Sequence, residues 1–175
     1  MPVLSLDDES GTAKSRRLRH VRAILQNGGQ IHKNARLAMI EQAAGLIEPC
    51  GDCGRPSEGW AVQLVKEGRL RWELEWPCDD CGVSHDGDWG AAPDEVRRPI
   101  LAEYGYRCLR VEGPISSGGK ILRAFRNAFG ASIGEAKQSA KEFAEEEGYR
   151  GTLVEVSLLA ELLRASGIAT TIDHA

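Results

Sequence analysis

Cys50-Gly51-Asp52-Cys53-Gly54 and Cys78-Asp79-Asp80-Cys81-Gly82 are two near-copies of one motif. Each places two thiols on one side of a tight turn, and the glycine that follows can take a backbone conformation that brings amides toward sulfur. Between them, Trp60, Val62 and Leu64 alternate with Ala61 and Gln63. Glu67-Gly68-Arg69 then intervenes, and Leu70, Trp72, Leu74 and Trp76 alternate with Arg71, Glu73 and Glu75. Period-two patterning around a glycine turn predicts a β-hairpin. In this reading Trp60, Trp72 and Trp76 share one face, which could stack on bases but is expected to pack the ribbon against an N-terminal helix as the core of so small a unit. A hairpin between the pairs brings both turns together, so that Cys50, Cys53, Cys78 and Cys81 complete a tetrahedral four-cysteine site. Zn2+ is the expected structural ion because thiolates are soft and the ion is content with tetrahedral geometry. Such a site contributes on the order of 10–16 kcal/mol, enough to fold a small ribbon.

The arrangement resembles a zinc ribbon over residues 49–82. A site saturated by four thiolates leaves no position for water, so the expected metal is structural and not catalytic. The competing reading is a pair of redox dithiols, but that motif opens a helix after a strand, whereas both pairs here flank a hairpin. His85 reads as a solvated loop residue and Cys108 as a small apolar side chain in a strand.

The chain has 175 residues, with 42% hydrophobic and 27% charged, a soluble globular profile. No apolar run approaches the ~18 residues that cross a bilayer. Asp7, Asp8 and Glu9 stand where a secretory signal needs an apolar stretch, so a cytoplasmic protein without a membrane partner is expected. The net charge of −4 is unevenly spread: seven Lys/Arg against three acids in residues 1–40, and six against fourteen in 41–105. This excludes a uniformly basic nucleic-acid binder and leaves a short basic arm on an acidic body.

The expected organisation is a disordered tail (1–12), a basic helical segment (13–48), the ribbon (49–82), a connector with a short helix (83–105) and a C-terminal domain (106–175). Within the basic segment, Leu18, Val21 and Leu25 recur at helical spacing among Arg16, Arg17, Arg19 and Arg22, a face that could bind rRNA phosphates. A second helix is predicted over Asn34–Ile47 with Leu37, Ile40, Ala44 and Ile47 on one stripe. The connector helix runs from Pro93 to Tyr104, with Pro99 expected to shorten or kink it. The acidic loop of Asp79, Asp80, Asp86 and Asp88 reads as solvated, and Gly113–Lys120 fails the phosphate-loop pattern at Pro114 and Ile121.

Beyond Tyr106 the expected order is β-α-α-β-α-β: a strand at 107–112, a helix at 120–129, a helix opened by the capping box Ser132-Ile133-Gly134-Glu135, a strand at 152–156, a helix at 158–165 capped by Ser157, and a last strand around Ile168, Thr170 and Ile172. The fold class is α+β. The stretch Lys120-Ile121-Leu122-Arg123-Ala124-Phe125-Arg126-Asn127-Ala128-Phe129-Gly130 and the following Glu135-Ala136-Lys137 resemble the C-terminal domain of the bacterial ribosomal stalk protein, over residues 106–173. The resemblance implies a non-catalytic domain that recruits translational GTPases through a basic face. It carries Lys120, Ile121, Leu122, Arg123, Arg126 and Lys137 over as partner contacts. Ser132 and Gly134 depart from the family's usual glycine and lysine, which removes one basic contact. The function expected from the whole chain is therefore a non-enzymatic zinc-binding adaptor associated with translation, without a small-molecule substrate. The alternative is a zinc-ribbon nucleic-acid-binding regulator.

Overall fold

Glu67 and Gly68 both take positive φ, 54° and 71°, in the computed structural model. Two such residues make a type I′ turn, whose twist suits a two-residue hairpin. The structure describes residues 40–113, 118–145 and 148–174. The tail, the Arg-rich helix and the first half of the second expected helix lie outside them.

The turn joins β2 (Pro56–Lys66) to β3 (Arg69–Cys78), as the alternation predicts. β1 (Glu41–Pro49) and β4 (Gly82–Trp89) flank them in an antiparallel sheet of order β1-β2-β3-β4. Two expectations are corrected here. Residues 41–49 are a strand and not the end of a helix: Gln42 and Ala44 are buried on alternate positions opposite Gln63 and Ala61, while Ile47, placed on the helical stripe, is 73% exposed. The polar stretch after Gly82 is likewise a strand and not a connector. It pairs through its backbone with β3 along one edge, where no apolar pattern is required.

The tryptophans also do not share one face. The two-residue turn sets Lys66 opposite Arg69, so Trp60 falls opposite Glu75 and Gln63 opposite Trp72. Trp60 therefore points away from the face that carries Trp72 and Trp76. On that second face lies α1 (Asp94–Tyr104), whose Val96 and Ile100 pack with Ala44, Ala61 and Leu74. Asp94 and Glu95 suit its N-terminus, and the helix continues through Pro99 to Gly105, whose N–H bonds to the Leu101 carbonyl.

The remaining elements are β5 (Arg107–Val111), α2 (Gly118–Phe129), α3 (Ile133–Glu145), β6 (Tyr149–Gly151), α4 (Leu153–Ala165) and β7 (Thr170–His174). Their order is the expected β-α-α-β-α-β, and β6-β5-β7 form a second antiparallel sheet. The fold is thus mixed α+β. At α3 the Ser132 box closes as expected: Glu135 N–H donates to Ser132 Oγ at 3.3 Å and Ser132 N–H to Glu135 Oε2 at 2.8 Å. At α4 the boundary moves. The strand is 149–151 and the cap is Thr152, not Ser157, because Thr152 and Glu155 form a second capping box.

One core spans both sheets. Phe125, Phe143, Leu109, Leu159 and Leu163 form its centre, and Val65 and Leu70 from the far end of the hairpin belong to it. The described residues lie in a single compact unit.

Candidate metal centre

The β1–β2 and β3–β4 turns lie at the same end of the first sheet, since β2 and β3 both run there from the Glu67-Gly68 turn. In the first turn Cys50 N–H donates to the Arg55 carbonyl at 2.7 Å and Gly54 N–H to the Cys50 carbonyl at 2.8 Å. Gly54 and Gly82, the glycines that follow each second cysteine, take φ of 71° and 92°. Such values favour glycine, as the sequence pattern requires.

The result is a cluster of four sulfurs, those of Cys50, Cys53, Cys78 and Cys81, all within 4.8 Å of one another. Cys53 Sγ and Cys78 Sγ are 3.6 Å apart. A tetrahedral ion with metal–sulfur bonds of about 2.3 Å separates its ligands by about 3.8 Å, so the cluster fits such an ion with little adjustment. These four cysteines could hold a metal ion. None of them forms a disulfide. His85 stands in β4 opposite Glu75 and is not among the clustered ligands.

The electrostatics of the cluster favour a cation. The backbone amides of Cys53 and Asp52 aim at the Cys50 sulfur and bring its pKa down to about 7. The Arg55 amide acts on Cys53 in the same direction, yet burial and the Cys78 and Cys50 sulfurs leave Cys53 above the usual thiol range. Cys81 is pushed up to about 12, by its hydrogen bond with Cys53 first and by burial second. The Cys50 thiolate thus forms readily, while Cys53 and Cys81 are held toward their protonated forms by the neighbouring sulfurs and by burial. A bound cation reverses that preference. Across the two turns Arg55 pairs with Asp80 on the surface, and below them Ser57 Oγ donates to the Pro77 carbonyl at 2.7 Å.

The expected partner face divides. Lys120, Arg123 and Arg126 are exposed on α2 and Lys137 is exposed on α3. Leu122 is half-buried against the core. Ile121 is corrected: at 1% exposure it is a core side chain and has no surface to offer a partner. Arg16, Arg17, Arg19 and Arg22 lie outside the described residues.

Sequence reading missed a buried polar cluster between the two sheets. Glu155, 1% exposed, accepts from Gln63 Nε2 at 3.1 Å, Arg97 Nε at 2.8 Å, Tyr149 Oη at 3.1 Å and Thr152 N–H at 3.0 Å. Thr152 Oγ1 in turn donates to Gln63 Oε1. Burial works against the Arg97 charge, but the Glu155 carboxylate more than offsets it and holds the guanidinium above its ordinary pKa. The signal that could have found this cluster is Thr152-Leu153-Val154-Glu155, a capping box in plain sequence.

Comparison with protein-family models, with curated proteins and with solved structures gives no match. No helix among the described residues is long and apolar enough to cross a membrane.

Proposed function

We propose that the protein is a non-enzymatic adaptor whose first sheet is a zinc ribbon and whose α2–α3 face docks a protein partner. The carrying observation is the set of four sulfurs within 4.8 Å. Soft thiolates in tetrahedral spacing suit Zn2+, and four of them saturate the ion, leaving no position for water. The ion would hold the β1–β2 and β3–β4 turns together and take no part in chemistry.

Lys120, Arg123, Arg126 and Lys137 present positive charge on adjacent helices, which suits an acidic protein surface. With the resemblance of residues 106–173 to the ribosomal stalk domain, this supports a translational GTPase as the partner and the ribosome as the setting, with Arg16, Arg17, Arg19 and Arg22 reaching rRNA. The ribbon itself is a poor match for phosphate: its turns carry Asp52, Asp79 and Asp80, and Trp72 lies on the face covered by α1. This favours the adaptor over the nucleic-acid-binding regulator.

The test is co-sedimentation with ribosomes and translational GTPases at physiological salt, wild type against Arg123→Glu/Arg126→Glu. Binding that the double reversal abolishes supports the reading. Equal retention of both forms, or of neither, overturns it.

A further inference from the structure

We infer that the ribbon is a clamp on α2: the strands that carry the cysteines run on into the helical core and hold the C-terminal end of the basic helix, so that loss of the metal loosens the basic face. The inference rests on the metal reading above and adds to it a control of the docking surface.

Three sets of contacts carry it. Val65 and Leu70, at the turn end of the hairpin, are buried in the same core as Ile121, Ala124, Phe125 and Ala128 of α2. Leu70 lies eight positions before Cys78 on the same strand, about 26 Å at roughly 3.3 Å per residue. One continuous strand therefore has a metal ligand at one end and a core side chain at the other. Next, the chain leaving β4 closes on α2 directly. Gly90 N–H donates to the Leu70 carbonyl at 2.9 Å, and Ala91 N–H donates to the Phe129 carbonyl at 3.2 Å. The last carbonyls of a helix have no partner within it, so this bond caps α2 from the ribbon side. The approach is close: Gly90 has φ of 99°, and a Cβ there would lie 2.5 Å from the Phe129 carbonyl oxygen. Finally, the ribbon is tied to α4, which packs beside α2. Gln63 bonds to Glu155 and Thr152, and Val154 N–H donates to Gln42 Oε1 at 3.4 Å.

These contacts make the first sheet one of the supports of α2, beside the helices it packs on. The helix draws on the ribbon for part of its core and for its C-terminal cap. The ribbon in turn has only a small core of its own, so its strands depend on the metal to hold the two turns together. Removing the ion frees β1 to β4 at the cysteine end, and the loss propagates along β3 to Leu70 and Gly90.

The test is hydrogen exchange of the full chain, followed by mass spectrometry, before and after a zinc chelator, with metal content measured on the same samples. Chelation is expected to speed exchange in residues 118–129 at least about tenfold, together with β2 and β3. Leu70→Ala, far from the cysteines, is expected to keep the metal and still speed exchange in 118–129. Val65→Ala is the milder substitute if Leu70→Ala does not fold. Metal loss that loosens β1 to β4 but leaves 118–129 protected overturns the inference, as does metal-loaded Leu70→Ala or Val65→Ala with unchanged α2 protection. A chain that takes up no zinc overturns the metal reading and with it metal control of α2. The Leu70→Ala comparison then still decides whether the ribbon holds α2 mechanically.

Discussion

Arg97 and Glu155, 58 positions apart, meet through two hydrogen bonds, Nε to Oε1 at 2.8 Å and a terminal guanidinium nitrogen to Oε2 at 3.0 Å. Arg97 comes from the helix under the first sheet and Glu155 from the first turn of α4, so the pair joins the two halves of the fold. It does so around a carboxylate that is 1% exposed. Gln63, Tyr149 and Thr152 donate three further hydrogen bonds to the same carboxylate.

Arg97→Met is therefore expected to destabilise the protein by about 3 kcal/mol, since it leaves a buried carboxylate uncompensated. The value lies at the low end for such changes because the Arg97 side chain is 27% exposed. Urea denaturation checks this. A loss below about 0.5 kcal/mol, the range of ordinary surface substitutions, would contradict the structural role.

Tyr149 gives the cluster a pH signature. Burial first, and the Glu155 charge second, push its pKa above the ordinary value of 10.0. A raised folded value means that the native state keeps a proton that the unfolded chain gives up. The stabilisation is complete below pH 10 and is lost as pH rises from there toward the folded value. Stability of the wild type should fall above pH 10 more steeply than that of Tyr149→Phe, with tyrosinate absorbance appearing at unfolding. Identical alkaline profiles for the two proteins would contradict it.

Gly151 faces the same carboxylate. A Cβ at this position collides with Glu155 Oε2 and comes within 2.7 Å of the Tyr149 ring. Gly151→Ala is expected to cost about 1–3 kcal/mol, the usual range for an overpacked core, measured as a lowered urea midpoint with unchanged slope.

The two kinds of residue on α2 should separate cleanly. Ile121→Ala removes a fully buried side chain and is expected to cost about 2–5 kcal/mol. Arg123→Glu/Arg126→Glu changes only exposed groups and should leave the thermal midpoint within a few degrees of wild type while weakening partner binding. Comparable loss of stability in both variants would contradict the assignment of Ile121 to the core and the arginines to the surface.

What could be read in the sequence is what depends on local pattern. The hairpin, the clustering of the four cysteines, the capping box at Ser132 and the order of elements after Tyr106 each follow from a few neighbouring residues. What could not be read depends on a distant partner. In residues 40–47, Ile40, Ala44 and Ile47 stand at helical spacing while Gln42, Ala44 and Leu46 stand at strand spacing. Pairing with β2 decides between them, and that pairing lies outside the segment. β4 carries no apolar alternation because it is an edge strand held by its backbone. The polar cluster eluded local reading because Gln63 and Glu155 are 92 positions apart. The faces of the tryptophans were within reach. A two-residue turn places even positions of β2 opposite odd positions of β3, which separates Trp60 from Trp72 and Trp76.

The metal site is the claim on which the rest depends, and elemental analysis of the purified full chain tests it most directly. The expected result is one zinc per chain, lost when Cys50 and Cys81 are both replaced by serine. A chain without stoichiometric metal after exposure to zinc, or one whose zinc survives both replacements, would contradict it.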